Sequence, residues 1–167
     1  MVKAIVAVDN KWGIGRNNKL LANIPADMDF FKFMTTGSTV IMGMNTFKSM
    51  NYKPLPKRNN IVICRTDEEN PYNYKNLTFM NITETKYFLQ KNPNNNIYII
   101  GGSATYNIFL EFCDIIYVTK IFENLNADTF FRNLNEDNQW ECIAKMKPII
   151  AQDNLKIQFC KYERTMK

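Results

Sequence analysis

Four short apolar runs stand out along the chain. Val2 to Val8 alternates and is rich in β-branched residues, and Thr39 to Met42, Asn60 to Cys64 and Asn96 to Ile100 are unbroken apolar stretches. Runs of this length predict buried strands of a parallel sheet. Between them, apolar positions at helical spacing predict helices over Pro25 to Thr35, Met44 to Met50, Thr83 to Gln90 and Ser103 to Phe112. Strand and helix alternate, the rhythm of a sheet covered on both faces. After Asp114 the rhythm changes: Ile115 to Ile121, Trp140 to Lys147 and Leu155 to Tyr162 are strand-like with no helix between them. The expected fold is α/β: a single domain over residues 1–167 with a mixed, mainly parallel central sheet of about eight strands, helices on both faces and an antiparallel C-terminal edge.

Composition supports one folded core. The chain has 167 residues, 46% of them hydrophobic and only 22% charged, so it buries enough apolar surface to offset the entropy of ordering, and global disorder is excluded. The net charge of +5 is spread without a basic block, which weakly favours acidic small ligands over nucleic acid. No run approaches the roughly 18 apolar residues of a membrane span, and the N-terminus runs straight into a strand, so a cytoplasmic protein and a monomer are expected, with no membrane partner. Cys64, Cys113, Cys142 and Cys160 are scattered and are read as buried thiols; no metal site is expected. Histidine is absent altogether, which removes serine-histidine and cysteine-histidine mechanisms.

The helix entered at Asn23-Ile24-Pro25 carries Ile24, Asp27, Met28, Phe31 and Met34 on one stripe. A carboxylate on an apolar face is an odd placement. One reading is local, with Pro25 in the first turn and an acid facing the positive end of the helix dipole. The other is functional, because a buried carboxylate with no adjacent cation is satisfied by a ligand's donors.

Asn96 to Ile100 runs into Gly101-Gly102-Ser103 and a helix, and Val40-Ile41-Met42-Gly43 runs into Asn45-Thr46 at another helix start. Each is either a plain turn or a place where a phosphate approaches bare backbone. Two such sites at the carboxyl ends of neighbouring strands suggest a dinucleotide. Cys64-Arg65-Thr66 ends a third strand with a cation and a hydroxyl, which suits a 2′-phosphate as well as it suits a solvated loop. Lys53-Pro54-Leu55-Pro56-Lys57-Arg58 is a rigid turn with three cations, either solvated or a carboxylate clamp.

Six segments in order, AVDNKWGIG, NIPAD with MDFFK, VIMGMNTFKSM, PLPKRNNIVICRT, IYIIGGSATYNIFL and IYVTKI followed by ADTFF, resemble bacterial members of the dihydrofolate reductase family over essentially the whole chain. The resemblance implies NADPH-dependent reduction of 7,8-dihydrofolate to tetrahydrofolate, with antifolate inhibitors as further ligands. It implies that Asp27 binds the pterin and polarises it while a water delivers the proton. Ile5, Val6, Met28, Phe31, Thr46, Met50, Leu55 and Ile100 would wall the substrate, Thr119 would hydrogen-bond Asp27, and Arg58 would clamp the glutamate α-carboxylate. Ala7, Ile14 and Gly15 would flank the nicotinamide. Gly43, Met44, Asn45 and Thr46, with Gly101, Gly102, Ser103, Ala104 and Thr105, would hold the pyrophosphate and riboses. Tyr106 would lie on the nicotinamide side, and Cys64, Arg65 and Thr66 would take the 2′-phosphate. The Gly101–Gly102 bond is expected to be cis, and Asp9 to Asn23 to be a lid hinged at Gly13 and Gly15.

The chain departs from the family in two places. Leu21-Ala22 replaces a Pro-Trp pair, removing an indole that holds a water beside the acid, and Met44 replaces a basic residue. Both border the drug pocket, so antifolate insensitivity is one outcome. The alternatives are another NADPH reductase of the same fold, of the riboflavin-synthesis type, which would not need Asp27 or Arg58, and a non-catalytic nucleotide-binding or RNA-binding module.

Overall fold

The computed structural model of the protein describes residues 1–65 and 72–165. Its strands and helices follow one another as β1 (Val2–Val8), β2 (Gly13–Arg16), β3 (Lys19–Leu20), α1 (Pro25–Thr35), β4 (Thr39–Gly43), α2 (Met44–Ser49), β5 (Asn59–Ile63) and β6 (Leu77–Met80). Then come α3 (Ile82–Lys91), β7 (Ile97–Gly101), α4 (Ser103–Phe109) with a 3-10 turn at Leu110–Phe112, β8 (Ile115–Ile121), β9 (Thr129–Phe130), β10 (Trp140–Lys145), β11 (Ile149–Ile150) and β12 (Lys156–Arg164). The main sheet runs β10-β12-β8-β1-β7-β4-β5-β6, with β11 appended to β12. From β8 to β6 every pairing is parallel, and β12 is antiparallel to both β8 and β10.

The alternation in each strand explains why both faces are covered. Val2, Ala4, Val6 and Val8 of β1 join Ile41, Ile61, Ile97 and Ile99 in one buried cluster, under Leu89 of α3 and Phe109 of α4. The intervening positions, Ile5, Val40, Met42, Val62 and Tyr98, form a second cluster beneath Phe31 of α1 and Phe47 of α2. Period-2 side chains that are apolar on both faces bury only when helices lie on both sides. Phe47 is fully buried, with Tyr52, Tyr72 and Phe79 packed edge-on around it at 5.8, 5.6 and 6.0 Å.

Helix α1 starts and ends where the sequence places it. Pro25 occupies the first turn, where a missing N–H costs nothing, and Thr36 leaves the helical region at ψ 134°. Helix α3 carries a capping box, with Asn81 accepting from Glu84 N–H while the Glu84 carboxylate accepts from Asn81 N–H.

One expectation needs correction. Of the four thiols only Cys113 and Cys160 are buried, while Cys64 and Cys142 are half-buried. Within the segment after Asp9, β2 and β3 pair with β9 in a separate three-stranded antiparallel sheet. The Asp9 carboxylate is buried and accepts from Lys11 and Gly13 N–H through Oδ1 and from Leu125 N–H through Oδ2. A Cβ on Gly13 would fall 2.2 Å from Ala127 Cβ, so close packing here requires glycine.

Candidate active site

Four parallel strands, β1, β7, β4 and β5, lie side by side with their carboxyl ends on one edge of the sheet. A cavity of about 650 Å³ opens along that edge. In open α/β sheets this edge is where ligands bind, and the volume falls in the usual range of roughly 300–1,000 Å³ for small-molecule sites. A cavity of about 780 Å³ lies elsewhere, between Val2, Leu89, Arg164 and Asp114, but it has no comparable set of strand ends converging on it.

One half of the main cavity is apolar with a single acid. Ile5 and Val6 of β1, Met28 and Phe31 of α1, Met50, Leu55 and Ile100 form the walls, and Asp27 projects from the first turn of α1. Asp27, Met28 and Phe31 of that stripe front the slot while Ile24 and Met34 pack into the core, which accounts for the acid on an apolar stripe. Asp27 makes no ion pair among the described residues. Burial holds its carboxyl above the ordinary carboxylate range, and the Thr119 hydroxyl works in the opposite direction with smaller effect. Thr119 Oγ1 is buried beside the acid, close enough to favour its charged form, but makes no hydrogen bond of regular geometry. An unpaired hydroxyl and an uncompensated carboxylate side by side leave acceptor and donor capacity for a ligand or a water.

The other half is built from backbone. Gly43, Met44, Asn45 and Thr46 line it at the end of β4, facing Gly101, Gly102, Ser103, Ala104, Thr105 and Tyr106 at the end of β7. Neither α2 nor α4 has a side-chain cap at its N-terminus. The two turns touch: a Cβ on Gly43 would lie 2.7 Å from Thr105 Oγ1, and one on Gly102 would lie 3.5 Å from Thr46 Oγ1. The Gly101–Gly102 peptide is cis, and Gly101 has φ 113°, a region that favours glycine. Tyr106 passes beneath and donates its hydroxyl to Ile5 O at 2.7 Å, tying α4 to β1. Ala7, Ile14 and Gly15 close the cavity where the two halves meet.

Some assigned residues lie outside these walls. Arg58 is buried against the rim, its guanidinium 6.0 Å from the Phe31 ring centroid, with Nε donating to Pro56 O and Nη1 to Thr35 Oγ1, both at 3.0 Å. It makes no ion pair among the described residues, whereas Lys53 and Lys57 of the same turn are exposed. Cys64 and Arg65 follow β5, half-buried and exposed, and do not line the cavity. Thr66 lies outside the described residues. Ala22 packs with Ile24, Ile121 and Ile157 instead of facing the slot.

Sequence reading missed Asn18, Lys19, Leu20, Ser49 and Thr129, all of which line the cavity. A signal for the first three exists: Asn17 and Asn18 both take positive φ, 52° and 58°, in a two-residue turn between the paired Arg16 and Lys19. Asn is favoured in such hairpin turns. Thr129 arrives by pairing with Gly15 across the chain, which local pattern does not reveal.

The comparisons agree with this geometry. The family model described as dihydrofolate reductase matches residues 1–164. Dihydrofolate reductase of Staphylococcus haemolyticus is 32% identical over 153 residues, covering 92% of this chain and 89% of the relative. That of Haemophilus influenzae is 35% identical over 137 residues, covering 82% and 81%. Among solved structures, dihydrofolate reductase from Enterococcus faecalis complexed with NADP(H) and RAB-propyl superposes with a TM-score of 0.83 at 29% identity, covering 99% of this chain and 97% of that one. An acid-bearing apolar slot beside a glycine cradle, on a chain matched from end to end, is thus accounted for by descent: the chain belongs to the dihydrofolate reductase family.

Proposed function

We infer that this chain reduces 7,8-dihydrofolate to 5,6,7,8-tetrahydrofolate with NADPH. The observation that carries the reading is the meeting, in one cavity, of the Asp27 carboxylate and the two facing glycine turns. The residues present fit the cofactor. The Gly43 and Gly102 turns leave room for a pyrophosphate against bare backbone, and the uncapped starts of α2 and α4 offer N–H donors to it. NADPH bound there supplies the hydride.

The protein's own part is alignment and proton management. Ile5, Ala7, Ile14 and Ile100 hold flat rings face to face and exclude water from the slot. Asp27 accepts from the N–H donors of the pterin edge, and its raised affinity for protons suits a group that must stabilise a protonated substrate. Tyr106 is unsuited to proton transfer, because its hydroxyl is committed to Ile5 O and burial, then Asp27 and Cys113, push its ionisation far up. With no histidine in the chain, a water entering beside Asp27 is the remaining source of the proton. The buried Arg58 cation, with no ion pair among the described residues, is suited to the α-carboxylate of the glutamate tail. Strands from both ends of the chain, β1 and β12, lie in one main sheet, which supports one domain.

Steady NADPH oxidation that begins only on adding dihydrofolate tests this reading. Oxidation without it, or none with it, would refute the assignment. Arg65, exposed beyond β5 next to the strand that ends at Gly43, is the proposed partner of the 2′-phosphate. A charged hydrogen bond of roughly 1.5–3 kcal/mol corresponds to about 10- to 100-fold in affinity. Arg65→Ser should therefore weaken NADPH by about that factor while leaving NADH nearly unchanged, as read from Kd for each cofactor. An unaltered preference moves the phosphate site elsewhere.

A further inference from the structure

We propose that Asn60 and Asn76 are positioning residues for the substrate tail: two side-chain amides clamp the turn from Leu55 to Arg58 and thereby aim the Arg58 guanidinium. The proposal rests on reading Arg58 as the partner of the tail carboxylate.

That turn cannot hold itself. Pro54 and Pro56 have no N–H to donate, and Lys57 takes a left-handed φ of 58°, so no regular ladder forms across it. Its polar atoms are met by side chains instead. Asn60 Oδ1 accepts from Leu55 N–H at 2.9 Å, and Asn60 Nδ2 donates to Leu55 O and Arg58 O, each at 3.0 Å. Asn76 Nδ2 donates to the same two carbonyls, each at 3.1 Å. The asparagines are themselves joined across β5 and β6, where Asn60 N–H donates to Asn76 O at 2.8 Å. Asn60 is 1% exposed, and a buried amide with its polar atoms satisfied is held in one orientation.

The clamped turn borders the slot. Leu55 forms part of the slot wall, and Arg58 is three residues on. From the far side, Arg58 reaches Thr35 Oγ1, whose hydroxyl donates to Phe31 O at 2.8 Å within α1. Helix α1 also carries Asp27. The network therefore sets the distance between the group that holds the head of the substrate and the group that holds its tail. A ligand with a tail feels that distance, and one without a tail does not.

The test compares two substrates. Asn76 is half-buried, so Asn76→Leu keeps its bulk and removes both donated bonds with less risk to folding than a change at Asn60. With NADPH, the variant should raise KM for dihydrofolate by about tenfold, the scale of two lost hydrogen bonds, with kcat changed less than twofold. A dihydropterin lacking the glutamate tail should show the same kcat/KM with variant and parent. Asn76→Ser, which adds no apolar bulk, gives the same comparison if the leucine variant folds poorly. Equal losses on both substrates, or none on either, overturn the clamp. Arg58→Leu measured alongside separates the two levels: a tail-dependent loss there with none at Asn76 removes the clamp alone, and no tail-dependent loss at Arg58 removes the tail reading and the clamp with it.

Discussion

Exchanging Asp27 for Asn should cut turnover at neutral pH by about 10²- to 10⁴-fold, the range expected for losing a positioned acid-base group. The amide is isosteric, so the slot keeps its shape, but it cannot accept as an anion from the protonated pterin. Activity should partly return in acid, where substrate is protonated in solution. The same exchange should stabilise the ligand-free protein. Burial raises the Asp27 carboxyl in the fold above its value in the unfolded chain. An acid raised in this way costs stability above its folded value, and that cost disappears as pH falls below the ordinary carboxylate range. Without ligand, the Asn variant should therefore have the higher Tm at pH 7, and the two proteins should converge towards acid pH. Parent-like turnover at pH 7 would sink the catalytic role, and a Tm gap that grew on acidification would sink the electrostatic account.

Arg58→Leu should raise KM for dihydrofolate by about 10²-fold, as expected if a planar guanidinium makes two charge-assisted bonds to one carboxylate. Leucine fills much of the same buried space beside Phe31, and an unpaired buried cation is a cost to the fold, so the variant should remain folded. Binding of NADPH should be unchanged. The measurement is KM for dihydrofolate against KM for a tail-less dihydropterin, and equal increases for both would show that Arg58 merely braces Thr35 and Pro56.

How far these roles were legible depended on whether short-range chemistry or long-range pairing fixed them. Helix α1 was readable to its bounds because Pro25 starts it and an apolar stripe runs through it. Strands β1, β4, β5 and β7 were readable because burial on both faces writes near-continuous Val and Ile runs. Strand β6 was not, since only Leu77 of its four residues is buried. Strands β2, β3 and β9 are only two to four residues long, too short to write a pattern: β2 and β3 meet in a local hairpin, and β9 joins them by pairing across more than a hundred positions, as between Gly15 and Thr129. Thr129 went unread for the long range of that pairing, and Lys19 and Leu20 because only the Asn17-Asn18 turn marks their hairpin. The three cations of the Lys53 to Arg58 turn look alike in sequence, and only the structure separates the buried one from the exposed pair.

The construction of the two halves of the slot also decides where the chain can change. At Gly43 any side chain would collide with Thr105, and Gly101 holds a backbone angle unfavourable to other residues, so these two positions of the dinucleotide side are closed to substitution. The opposite side is lined by Met28, Phe31, Met50 and Leu55, apolar side chains without β-branching that can exchange for neighbours of similar size at small cost. Mutations that evade a competitive inhibitor should accordingly accumulate on the pterin side, leaving the nucleotide side as the surface on which a compound would be slowest to lose its grip.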